Sequence, residues 1–165
     1  MSVLPLRVTM TGINVKAGLI AGFMATVALS ILMIAKSAMG LMPQLNPIED
    51  NVHVAHVLTG LTLPLPFGWL AHFFLGTVIW GLIYAAWHAS LPGAPVVKGL
   101  IFGVLAWLAM MILFMPLAGH GLFALSLGPQ AVVATLVLHL VYGAVLGVVF
   151  AKVAHENSGA GRGSP

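Results

Sequence analysis

The chain alternates between long apolar runs and short polar breaks. Residues 17–35, 67–89, 99–118 and 129–151 contain no Asp, Glu, Lys or Arg. An uncharged apolar run of about 18 residues or more reads as a membrane span. A helix rising ~1.5 Å per residue crosses the ~30 Å hydrocarbon core and satisfies its backbone hydrogen bonds internally. The pattern predicts an all-α integral membrane bundle of four transmembrane helices. Residues 1–15 form an N-terminal tail, 16–152 the transmembrane domain and 153–165 a disordered tail rich in Gly and Ser. Arg7 and Lys16 before the first run resemble the start of a signal peptide, but that run exceeds the ~7–15 apolar residues usual for one, so the span is expected to be retained.

Between the first two spans the pattern changes to that of a short external surface helix. Asn46 is a good N-cap, Pro47 suits the first helical position and Glu49 falls where a capping box needs it. Gly60 then ends the helix, and Pro64 and Pro66 lead into the second span.

The spans also match one another. Lys16-Ala-Gly-Leu-Ile-Ala-Gly22 opens the first and Lys98-Gly-Leu-Ile-Phe-Gly103 the third, so Gly18 aligns with Gly99 and Gly22 with Gly103. Leu70-Ala-His-Phe-Phe-Leu-Gly76 in the second matches Val137-Leu-His-Leu-Val-Tyr-Gly143 in the fourth. The expected layout is two similar helical hairpins, parallel repeats about an axis along the membrane normal. Gly-x-x-x-Gly lets helices approach closely in lipid, so these glycines mark the expected contacts.

Composition narrows the class. Hydrophobic residues make up 61% and charged residues 5% of the 165, against ~25% charged in ordinary soluble domains. Six cations outnumber three acids, yet no Lys/Arg cluster exists, so nucleic acid is not an expected partner. Cysteine is absent, which excludes disulfides, thiolate metal sites and c-type haem attachment. Five of the six cations (Arg7, Lys16, Lys98, Lys152 and Arg162) fall on the side shared by both termini, and Lys36 alone on the other. The positive-inside rule then puts both termini in the cytoplasm.

Ionisable side chains within spans are functional candidates. His72 and His139 occupy equivalent positions, each four residues before a glycine, Gly76 or Gly143. Two imidazoles across a pseudo-two-fold axis would suit the axial ligation of a b-type haem, with the glycines leaving room for the porphyrin. The bland alternative is a pair of structural histidines hydrogen-bonded to neighbouring helices. A second constellation lies outside the spans. Asp50, His53 and His56 sit at i, i+3 spacing on the surface helix, and His120 in the other external loop, a set with the donor types for a Cu or Zn ion. The bland reading there is an interfacial polar helix face. Met33, Met39, Met42, Met110, Met111 and Met115 gather toward the same ends of the first and third spans, and apolar filling explains them. No P-loop, His-Glu-x-x-His or Gly-x-Ser-x-Gly motif is present.

With Lys-x-Gly-Leu-Ile-x-Gly, Gly-Trp-Leu-Ala-His72 and Met-Pro-Leu-Ala-Gly-x-Gly-Leu-Phe123, the chain resembles a family of small bacterial four-helix membrane proteins labelled only as a domain of unknown function. The resemblance spans about residues 16–152, implies the fold and a bacterial inner membrane, and supplies no catalytic residue. The function expected is that of a non-enzymatic membrane subunit, embedded in the bilayer, that scaffolds or modulates a larger complex, such as a respiratory or photosynthetic one, or self-associates. The alternatives are a haem b electron carrier on His72 and His139, or a small dimeric permease.

Overall fold

The computed structural model describes residues 13–160 of the chain. Most of the N-terminal tail and the last five residues of the C-terminal tail lie outside that range. Among the described residues, four helices are long and apolar enough to cross a membrane: α1 Val15–Ala38, α3 Leu65–Trp87, α4 Pro95–Leu117 and α5, whose apolar part is Pro129–Glu156. The short helix α2, Pro47–Thr59, stands between the first two. No strand occurs among the described residues.

Local chemistry explains the ends. Asn14 caps α1 by accepting the Ala17 N–H at 3.0 Å. Asn46 caps α2 by accepting the Ile48 N–H at 3.3 Å, Pro47 occupies the first turn, and Gly60 closes the helix in the left-handed conformation at φ 73°. Glu49 and Asp50 sit in that first turn, where the helix dipole favours negative charge. At the other extreme, α5 runs on to Ala160 and does not stop near residue 151 as expected. The stretch after Lys152 has no helix breaker before Gly159, and a helix does not need to end where the membrane does.

α4 packs along α5, while α1 lies between α5 and α3 and touches both. Glycine makes these approaches possible. A Cβ on Gly18 would sit 2.7 Å from the Gly81 carbonyl oxygen of α3, and one on Gly22 would sit 2.7 Å from that of Thr77. In the other pair, Gly99 and Gly103 of α4 lie against the backbone of Gly143 and His139 of α5, and Gly147 lies against Pro95. All these contacts gather toward the end of the bundle where the 88–94 turn joins α3 to α4. Facing outward are residues such as Leu70 (67% exposed) and Val133 (61%), the apolar surface expected of a bundle in lipid.

The α2 end is built differently. Ile48, Asp50, Asn51 and Val54 of α2 are buried, and α2 rests on the first turns of α3 with Gly68 directly under the Ile48 carbonyl. Both α3 and α4 change hydrogen-bond pattern here, winding as π-helix over Phe74–Trp80 and Met110–Phe114. Such widened turns displace carbonyls from the regular ladder and often mark sites. The α4–α5 connection, residues 118–128, folds tightly, with Phe123 and Ala124 both at positive φ (54° and 53°) and Ala124 fully buried. Non-glycine residues accept that conformation only under tertiary constraint, here the Phe123 ring against Trp107 at 6.0 Å.

Candidate functional site

A partly open cavity of about 290 Å³ lies between the helices, in the half nearer α2. Its wall is mainly aliphatic and thioether, including Leu29, Met33, Leu75, Met110, Leu113 and Leu138. Leu45, Pro47 and Asn51 place the start of α2 and the chain before it at one side of the cavity. His72 from α3 and His139 from α5 both line it, the two intramembrane residues singled out in the sequence. They stand about 10 Å and 15 Å along their helices from Leu65 and Pro129, counting ~1.5 Å per residue.

The hydrogen bonds define each imidazole. His139 Nδ1 lies 2.9 Å from the Thr135 carbonyl oxygen, one turn back on α5. A carbonyl can only accept, so Nδ1 carries the hydrogen and Nε2 of the neutral ring keeps a lone pair. His72 Nε2 lies 3.1 Å from Ser30 Oγ of α1. The Ser30 hydroxyl already donates to the Thr26 carbonyl at 2.8 Å, so His72 Nε2–H is the donor and Nδ1 the lone-pair side. No carboxylate lines the cavity, so neither ring has a partner there for an imidazolium charge.

Further polar groups in the wall complete the picture, and sequence reasoning missed them. Tyr142 Oη donates to the Gly76 carbonyl at 2.6 Å, fastening α5 to the π-helical stretch of α3. Thr26 and Thr135 donate to the carbonyls of Gly22 and Ala131, each at 2.7 Å, and Trp107 Nε1 donates to Thr135 Oγ1 at 3.2 Å. Asn51 Nδ2 reaches the Gly68 carbonyl at 3.2 Å. The available signal was spacing: Thr26 and Ser30, like Thr135 and His139, are four apart and share a helix face.

Gly76 lines the cavity together with the two histidines, while Gly143 is not part of its wall. A Cβ on Gly76 would strike Thr26, and Gly143 is closed off by the Gly99 and Gly103 backbone. Their smallness is used for helix contact, the cheapest way to bring two backbones together in lipid.

Of the four residues considered for a metal, the structure joins two. His120 Nε2 meets Asp50 Oδ1 at 2.8 Å and ties the 118–128 connection to α2, while Ser126 Oγ holds the His120 carbonyl at 2.9 Å. Burial raises the Asp50 carboxyl above its usual range, opposed by the His120 bond, and its Oδ2 is buried with no hydrogen-bond partner. His56 turns instead to the Leu61 carbonyl at 3.2 Å, and His53 Nε2 lies near Gly119. Among the described residues no three His, Asp or Glu side chains gather where one ion could be held.

A larger recess, about 530 Å³, lies at the α2 end beside Lys36, Asn46, Leu65 and Trp69. Lys36 Nζ donates to the Met42 carbonyl at 3.0 Å and to that of Leu45. Neither His72 nor His139 lines it.

Fold and site together define a membrane-type helical protein: four apolar helices around a partly open apolar cavity edged by two imidazoles. A family model matches residues 13–160, and the chain belongs to that family, DUF6789, described as a family of unknown function. No curated protein and no solved structure matches it.

Proposed function

We propose that the chain is a non-enzymatic membrane subunit whose cavity holds one small lipophilic molecule, and that it modulates a larger membrane assembly through that molecule. The observation that carries this reading is the cavity itself, about 290 Å³ and almost wholly apolar, with a few fixed polar groups including His72 and His139. Binding sites for small molecules have this make-up, apolar walls for affinity and a few polar atoms for orientation. The bundle sits in a bacterial inner membrane with both termini cytoplasmic, a placement supported by the cation distribution. The two hairpins act as parallel repeats, supported by Gly22 against Gly76 and Thr77 in one and Gly103 against His139 and Gly143 in the other.

Native mass spectrometry of the detergent-purified protein tests the binding reading. A lipophilic adduct should accompany the wild type and be lost from Ala109→Trp, which fills the cavity. A wild type with no adduct, and no thermal stabilisation by any of a panel of lipophiles, would overturn it. A b-type haem held by both histidines is the second reading, favoured by the fixed orientation of His139. Ligation through His72 Nε2 requires that nitrogen to release Ser30, where it is engaged. A Soret band in the purified protein would establish the haem reading in place of the first.

A further inference from the structure

The cavity wall has an uneven supply of hydrogen-bonding groups. Thr26, Thr135 and Tyr142 each have a single hydroxyl hydrogen, and each gives it to a backbone carbonyl, those of Gly22, Ala131 and Gly76. His139 gives its N–H to the Thr135 carbonyl, and His72 gives its own to Ser30. What these five side chains retain are lone pairs. Asn51 keeps one amide hydrogen after its bond to Gly68, and Trp80, packed edge-on against Phe102, brings an indole N–H. Acceptors outnumber donors, and the strongest acceptor is imidazole nitrogen.

From this accounting we infer that the cavity selects a lipophilic molecule bearing a hydroxyl, a phenol or an alcohol, and that His139 Nε2 accepts its hydrogen. The inference rests on the binding reading above and adds the ligand's chemistry. A hydroxyl supplies the hydrogen that the imidazole nitrogen lacks. An ether or a simple ketone can only accept, and leaves the imidazole lone pair buried without a donor. In an apolar site an unpaired polar atom is expensive. The tautomer is not free to adjust. Reversing His139 would place a lone pair against the Thr135 carbonyl oxygen, 2.9 Å away.

Calorimetric titration of the full chain in detergent separates the possibilities with three probes. 4-Octylphenol is the hydroxyl probe and 4-octylanisole its methyl ether. 4-Octyl-2-methylphenol carries an extra methyl like the ether but keeps the hydroxyl. The two phenols should bind at least about tenfold more tightly than the anisole, the loss expected when a buried acceptor goes unpaired. In His139→Phe the preference should fall to near unity while the anisole still binds, and His72→Phe should keep most of it. Equal affinity of the wild type for phenol and anisole, or a preference that survives His139→Phe, would overturn the hydroxyl inference and leave the binding reading standing. Failure of all three probes to bind the wild type would overturn both.

Discussion

Replacing Gly22 by Ala tests how the bundle is held together. The added Cβ would lie 2.7 Å from the Thr77 carbonyl oxygen and 2.9 Å from that of Gly76, both backbone atoms of α3. Ordinary contact begins near 3.4 Å, so α1 and α3 must separate by roughly half an ångström or more, and no rotamer change can absorb it. Overpacking of this kind costs about 1–3 kcal/mol, and Ala returns about 0.5–1 kcal/mol of helix propensity, leaving a net loss of up to about 2.5 kcal/mol. Displacing α3 also pulls on the Gly76 carbonyl that Tyr142 holds at 2.6 Å. At about 2–4 °C per kcal/mol for a chain of this size, Tm in detergent should fall by up to about 10 °C. Gly22→Leu should fall further, and Val133→Leu, on an exposed surface, should leave Tm unchanged. The measurement is thermal unfolding followed by circular dichroism in one detergent. Gly22→Ala with a Tm equal to or above the wild type, when Gly22→Leu is also unaffected, would refute the close α1–α3 contact.

Other expectations follow from single bonds and from charge. Tyr142→Phe leaves the Gly76 carbonyl without its hydroxyl donor in an apolar wall, so stability should drop by about 1–3 kcal/mol, read as a lower Tm, while the helical circular dichroism spectrum is kept. Because burial raises the Asp50 pKa above 3.8, the folded protein binds that proton more readily than the unfolded chain. Its contribution to stability is therefore greatest below 3.8 and is lost as pH rises through the folded value, so Tm differences between wild type and Asp50→Asn should vary with pH across that window and level off above it. A difference independent of pH would show that Asp50 titrates normally. A reporter fused after Pro165 should be active only in its cytoplasmic form, and activity only in the periplasm would reverse the orientation taken from the cations.

The helices were legible because nothing competes with an uncharged run of that length, and α2 because Asn46, Pro47 and Gly60 each carry a specific backbone requirement. The π-helical turns were not. Phe74–Trp80 reads like any apolar segment, and its widened winding accompanies a tertiary bond from Tyr142 to Gly76 that no local pattern encodes. The same limit applied to the site. His72 and His139 stood out as ionisable groups in apolar spans, and the four-residue spacing of Thr135 and His139 was there to be read, but Ser30 became the partner of His72 only once the rotation of α1 against α3 was known. The metal set failed to assemble for a related reason. Helical spacing brings Asp50 and His53 onto adjacent turns, yet His56 faces the chain leaving α2 and His120 takes the Asp50 carboxylate directly.

The two ends of the bundle use different physics, and this bears on what the cavity can be. Toward the 88–94 turn, backbone meets backbone at Gly18, Gly22, Gly99 and Gly103, and no space remains for a side chain. Toward α2 the helices are joined by side chains instead: Ser30 to His72, Trp107 to Thr135, Tyr142 to Gly76, and Asn51 to Gly68. Such bonds hold helices at a side chain's length, which leaves a gap between them, whereas glycine contacts bring them together. A gap in a membrane bundle forfeits dispersion contacts along its whole lining unless something fills it. Closing it would require only smaller polar residues or more glycine, both of which this chain uses a few turns away. The cavity therefore has the form of a space maintained by specific bonds, and its imidazoles are the wall groups with the most basic lone pairs left to offer an occupant.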